Sequence, residues 1–281
     1  MGNLLKRIWA SAPVWAWIVM IVGVIVLIVG LIISGNRTSS GGSDPSAAAM
    51  SAPTSAAPMQ TPATVTFMDD AKANPSTPKT IVLLGDSTGA ATDGWAPALG
   101  TAISRALDRP VATKFWNSTT NAYGPIVGLG DGPNGAIGFW NGSTADEDVA
   151  YARKNLGALI RPEVTPDLIL LNFGHTQDQS KPLAPQIQPL VTALQKKYPQ
   201  AKIAVIKQNP GQGSASSTDQ LSGYAADMDG QGIQVIDVYS SFPNNGSQLA
   251  SVLSDDVNPN AAGQKLWTKT VLSAFGLPTQ Q

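Results

Sequence analysis

The sequence predicts an α/β domain built on a parallel sheet, with helices packed on both of its faces. Three observations carry this reading. Ile81-Val82-Leu83-Leu84 is an unbroken apolar run, the mark of a strand covered on both sides. Similar runs recur along the chain and alternate with stretches whose apolar residues repeat at helical spacing. The first run ends in Gly85-Asp86-Ser87-Thr88-Gly89, a turn that presents a hydroxyl at the carboxyl end of a central strand, where open α/β sheets place their chemistry.

Taken in order, strands are predicted at Ile81–Leu84, Val111–Trp116, Ala136–Trp140, Leu168–Phe173, Ile203–Lys207 and Ile233–Val238. A helix is predicted over Trp95–Leu107, with Trp95, Leu99, Ala102, Ile103 and Ala106 on one face and Pro110 marking its end. Further helices are expected at Asp148–Ile160, Ile187–Tyr198, Asp219–Met228 and from Pro259 to Phe275, the last stopped by Gly276 and Pro278. The glycine-rich stretch Tyr123–Gly138 interrupts the alternation. It lacks the pattern of a phosphate loop and reads either as a loop at the rim of the site or as a structural excursion.

The amino terminus reads differently. Lys6 and Arg7 precede an uncharged apolar run, and residues 13–34 are long enough to span a bilayer. The charge bias places residues 1–12 in the cytoplasm and everything after the span outside it, as an uncleaved signal anchor. Residues 35–79 are rich in Ser, Ala, Pro and Thr and read as a disordered linker, leaving 80–281 as one folded domain.

Composition narrows the chemistry. The net charge is −1, which gives no push towards nucleic acid. There is no cysteine, hence no thiolate nucleophile and no disulfide, and one histidine, His175. No cluster has metal-ligand spacing, so neither metal nor cofactor is expected. Asp86 and Ser87 could equally be no more than caps of the following turn.

Three segments together give the domain a family resemblance. Gly85-Asp86-Ser87-Thr88 resembles the first block of the SGNH hydrolase superfamily, the GDSL-type esterases and lipases. Gly174-His175-Thr176 falls where the third block belongs, and Asp255-Asp256-Val257-Asn258-Pro259-Asn260 resembles the last block. The resemblance implies a flavodoxin-like three-layer α/β/α sandwich and ester hydrolysis with Ser87 as nucleophile. It also implies an oxyanion hole from the Ser87 amide, a second-block glycine (Gly142 being the best match) and the Thr176 side chain in place of the usual Asn. Asp255 would orient the base, but Asn258 stands where the family has histidine, and an amide cannot take a proton at neutral pH. His175 is the alternative base. Asn258 followed by Pro259 also suits a helix N-cap and first turn.

These readings give a membrane-anchored, extracytoplasmic ester hydrolase acting on a small acyl ester, such as an acetyl group on a cell-envelope glycan or lipid. The alternative is an SGNH-fold module that binds such a ligand without turnover. Aromatic residues Trp116, Phe139 and Trp140 would favour a glycan if two of them faced the cleft.

Overall fold

The computed structural model describes residues 61–145, 147–213 and 218–279. The anchor expected at 13–34 and most of the linker lie outside these residues. No helix among the described residues is long and apolar enough to cross a membrane.

Among the described residues the sheet has eight strands: β1 (Lys79–Gly85), β2 (Val111–Asn117), β3 (Ala122–Tyr123), β4 (Val127–Gly130), β5 (Ile137–Ser143), β6 (Leu168–Asn172), β7 (Lys202–Lys207) and β8 (Gln234–Asp237). The order is β3-β2-β5-β1-β6-β7-β8, with β4 beside β2. Every pairing is parallel except those of β3 and β4 with β2. β1 is central, and its Ile81, Val82, Leu83 and Leu84 are wholly buried. Each such side chain contributes about 1.5–3 kcal/mol by leaving water, so β1 is the element the core can least lose.

Alternation along β1 splits the core in two. Ile81 and Leu83 pack against α1 (Ala63–Ala73), α2 (Trp95–Leu107) and a C-terminal helix, Ala261–Ala274. Val82 and Leu84 face the other layer, made of α3 (Val149–Lys154), α4 (Leu156–Leu159), α5 (Leu183–Lys197) and α6 (Thr218–Gly230). A short α7 (Gly246–Ala250) precedes the C-terminal helix, α8. The three layers are those expected, but the strand order is not that of flavodoxin. Counting only the parallel strands in chain order it runs 2-3-1-4-5-6, whereas flavodoxin runs 2-1-3-4-5. The consequence is local to the site. From β1 the chain crosses to α2 on one face, while from its neighbours β5 and β6 it crosses to the opposite face. Connections leaving adjacent strands in opposite directions open a crevice at their carboxyl ends, and Ser87 stands there.

The folded domain begins earlier than the composition suggests. The linker expected to reach residue 79 gives way to α1, whose Phe67, Met68 and Ala71 are buried in the core. Arg109, itself fully buried, fastens this end of the sheet. Its guanidinium donates to the carbonyls of Ala71, at 3.0 Å, and of Thr77 and Gly135. Lys79 adds an ion pair with Asp70 at 2.5 Å.

The predicted Asp148–Ile160 helix is broken at Asn155. Helix α5 starts four residues before the expected Ile187 and carries Pro189 inside it. The glycine-rich segment does not gather at the site rim. Its β3 and β4 form the outer edge of the sheet, and it runs from beside Trp116 down to the far end of β1. Its glycines let backbones touch: a Cβ on Gly130 would collide with the Ser104 side chain, and one on Gly135 with the Ser76 carbonyl.

Candidate active site

The end of β1 is held by both neighbours before the nucleophile turn begins. Thr144 donates its N–H to the Gly85 carbonyl at 2.9 Å, and Asp86 donates its own to Asn172 at 3.1 Å. Residues Ser87–Gly89 then form one turn of 3-10 helix with Asp86 as its cap, accepting from the Thr88 N–H. The capping and site readings of Asp86 therefore coexist. Neither Gly85 nor Gly89 needs a left-handed backbone. They are glycines because a Cβ would meet the Asn172 carbonyl at 2.8 Å from Gly85, and Ser143 Oγ at 2.5 Å from Gly89.

Beneath Ser87 lies a buried polar cluster that sequence patterning does not single out. The wholly buried Asp86 carboxylate accepts from Thr88 N at 3.1 Å, from Thr88 Oγ1 at 2.7 Å and from Gln208 Nε2 at 2.9 Å. Asn172 Nδ2 donates to Thr88 Oγ1 at 2.9 Å, and Gln208 Nε2 also lies 3.0 Å from Asn172 Oδ1. The other end of Gln208 accepts the backbone N–H of His175 at 2.9 Å. Among the described residues no cation pairs with Asp86; hydrogen-bond donors satisfy this buried polar group.

In the last-block loop, Asp255 accepts from the N–H groups of Val257, at 2.9 Å, and Asn258, at 2.7 Å, and from Asn258 Nδ2 at 2.8 Å. Burial pushes the Asp255 carboxyl up, but these hydrogen bonds outweigh it and hold its pKa below the usual carboxylate value. Asn258 is not the helix cap. Helix α8 starts at Ala261, and Asn260 caps it through the N–H groups of Ala262 and Gly263. The Asn258 amide instead keeps the hydrogen-bonding sense expected of the family's histidine: a donor towards Asp255, with an acceptor, Oδ1, left over. That oxygen is buried and has no hydrogen-bond partner among the described residues.

His175 is buried, and neither ring nitrogen has a hydrogen-bond partner among the described residues. Burial lowers its pKa, opposed by the negative charges of Asp86 and Asp255. The imidazole is therefore neutral at pH 7. The Ser87 hydroxyl is partly exposed, and no hydrogen bond joins it to Asn258, Asp255, His175 or any other described residue.

The oxyanion candidates are placed unequally. Thr176 lies in the third-block loop, its hydroxyl 3.3 Å from Gln177 Nε2. Gly142 lies inside β5, opposite Leu84. Since Thr144 donates to β1, alternation along the strand points the Gly142 N–H into the same ladder. A Cβ there would press on Leu84 and Leu159, so packing explains this glycine. The aromatic residues do not form a sugar platform. Phe139 is in the core, Trp116 Nε1 donates to Tyr151 Oη at 2.9 Å, and Trp140 is flanked by the cations of Lys114 and Arg161.

A second set of contacts connects the first and last loops. Trp95 Nε1 donates to the Thr88 carbonyl at 2.9 Å, and the Trp95 ring stacks on Trp267 with centroids 5.2 Å apart. Trp267 Nε1 donates to Asn209 Oδ1 at 2.8 Å, while Asn209 Nδ2 donates to the Val257 carbonyl at 2.9 Å. Sequence patterning marks both indoles as core, without showing that they join two site loops. No group of His, Asp and Glu among the described residues could hold a metal ion.

No protein-family model matches this chain, and no curated protein matches it in sequence. Solved structures match it in fold. A two-domain esterase active on acetylated mannans superposes with a TM-score of 0.55 at 13% identity, over 75% of this chain and 51% of that one. The same esterase co-crystallised with mannopentaose gives 0.51 at 13% identity, over 77% and 54%. This chain thus spans about half the length of that enzyme. A member of the lipolytic protein G-D-S-L family from Veillonella parvula DSM 2008 gives 0.48 at 16% identity, over 70% and 98%. The fold is shared with that two-domain esterase.

Proposed function

We propose that the domain is an SGNH-type ester site built on Ser87 whose hydrolytic step is disarmed: it holds an acyl ester and turns it over very slowly. The observation that carries this is the pairing of Asn258 with Asp255. The last-block loop keeps a carboxylate, Asp255, paired with the side chain at the position where the family has histidine, but that side chain is an amide. It can accept a hydrogen bond and cannot accept a proton. In a serine protease, losing the catalytic histidine costs about 10⁶ in turnover and leaves about 10³–10⁴ over water. A site of this kind is a binder on the timescale of a normal esterase.

The ligand proposed is a small acyl ester, with an acetyl ester of an envelope glycan as the first candidate. The fold-level likeness to an esterase active on acetylated mannans supports that choice. The apolar span at residues 13–34 supports a membrane-anchored domain held outside the cytoplasm.

A second reading rests on His175. A buried neutral imidazole, near enough to Asp86 and Asp255 to feel their charges, could serve as proton acceptor for Ser87 if its ring turned towards the hydroxyl. Hydrolysis of p-nitrophenyl acetate and of acetylated mannan oligosaccharides by the full chain tests both readings, with Ser87→Ala and His175→Gln as controls. The first reading expects wild type to lie within a few-fold of Ser87→Ala while still binding the acetylated oligosaccharide. Rapid turnover lost in both variants supports the second reading. Rapid turnover lost only in Ser87→Ala contradicts both.

A further inference from the structure

The consecutive residues Gln208 and Asn209, just past the end of β7, lie in none of the three segments that carry the family resemblance, yet both are fully buried and touch all three site loops. Gln208 donates to Asp86 beside the nucleophile and accepts from the His175 backbone in the third-block loop. Asn209 reaches the other way. It donates to the Val257 carbonyl in the last loop and accepts from Trp267, whose stacking on Trp95 leads back to the Thr88 carbonyl. The two side chains thus close a ring of contacts that runs from Asp86 on one side of Ser87 through Gln208, Asn209, Trp267 and Trp95 to Thr88 on the other, with Asn209 also reaching Val257, the neighbour of Asn258.

We propose that Gln208 and Asn209 are positioning residues that set the spacing between the Ser87 turn and the Asp255–Asn258 pair. The proposal rests on the reading of Ser87 as an ester site. A loop pair needs this control because neither loop is held by strand pairing at the point of interest: β1 ends at Gly85 and the last loop has only the isolated bridge between Leu253 and Pro259. Rigid placement to a fraction of an ångström is what nucleophile and acceptor require, and a 1 Å error costs about 10²-fold in rate. Core packing alone would be served by apolar residues of the same volume. Two amides that hydrogen-bond to all three site loops, Asn209 also to the neighbouring Pro210 carbonyl, serve a geometric purpose instead.

The test uses the full chain labelled with 5-fluorotryptophan and carrying Asn258→His, the change expected to restore turnover. Asn209→Leu and the milder Trp267→Phe are added separately, and kcat and KM are read on p-nitrophenyl acetate alongside ¹⁹F spectra. The expected result for Asn209→Leu is a tenfold or larger fall in kcat with KM within threefold, and displaced ¹⁹F signals from both Trp267 and Trp95. Trp267→Phe keeps the ring stack and loses the donor, so a smaller fall in kcat is expected, and it decides the matter if Asn209→Leu does not fold. A kcat within twofold of the parent in a folded variant overturns the proposal. If Asn258→His itself has no turnover, the ester reading fails separately. The ¹⁹F spectra then decide: a displaced Trp95 signal in Asn209→Leu supports the strut, and an unmoved one overturns it.

Discussion

Asn258 donates its side-chain amide to Asp255 at 2.8 Å and keeps its own side-chain carbonyl oxygen buried without a partner among the described residues. This one relationship reproduces the hydrogen-bonding direction of a carboxylate–histidine pair while removing its basicity. The loop also remains well organised, since Asp255 gathers the N–H groups of Val257 and Asn258 as well.

The polar cluster under Ser87 predicts a stability effect. Thr88→Val keeps the shape of the side chain but removes a donor to Asp86 at 2.7 Å and an acceptor for Asn172 at 2.9 Å, both buried. Leaving such groups unpaired costs about 1–3 kcal/mol each. Urea unfolding should show a loss of about 2–4 kcal/mol with an unchanged m-value. A loss below about 0.5 kcal/mol would show that the cluster is not buried as described.

A pH dependence follows from His175. Its pKa in the fold lies below the ordinary 6.5 because burial disfavours the cation. The unfolded chain therefore binds the extra proton first, and the fold loses stability as pH drops below about 6.5. The loss levels off once pH is below the folded pKa. Asp255 adds a separate loss under more acid conditions: its pKa lies below the usual 3.8 in the fold, so its contribution is present above that value and disappears as pH falls through the folded pKa. Urea midpoints at pH 7.5, 6 and 5 should decline, and His175→Gln should flatten that decline. A decline unchanged in His175→Gln would assign it to other groups.

The amino-terminal helix belongs to the domain, and its removal should show it. Deleting residues 61–74 strips Phe67, Met68 and Ala71 from the core and takes away one carbonyl partner of Arg109. Burying side chains of this size contributes about 1.5–3 kcal/mol each for the two larger ones. The shortened protein should unfold at markedly lower urea or be recovered in aggregates. A midpoint equal to that of a protein starting at Thr61 would return these residues to the linker.

Much of the fold was legible because its strands are continuous apolar runs and its helices carry a clear face. Trp95–Leu107 is found with the boundaries its periodicity gives. What escaped the sequence did so for physical reasons. The Ala63–Ala73 helix has a linker-like composition, and only Phe67 and Met68 hint at a buried side. Gly142 matches a glycine pattern yet is required by packing. Gln208 and Asn209 are ordinary polar residues after a strand, and nothing local marks a side chain whose partners lie 36, 122, 48 or 58 positions away. The substitution at Asn258 was visible directly, while its pairing with Asp255 required the loop geometry.

The measurement that bears most directly on the disarmed site is ester hydrolysis by Asn258→His. An imidazole there would pair with Asp255 and supply the base that the proposed site lacks, so turnover of p-nitrophenyl acetate should rise at least 10²-fold over wild type, with a rate that increases with pH around 6–7 as the base loses its proton. Adding Ser87→Ala should abolish the gain. Hydrolysis by Asn258→His no faster than wild type, in a protein whose unfolding midpoint is unchanged, would contradict the claim that this amide is what silences the site.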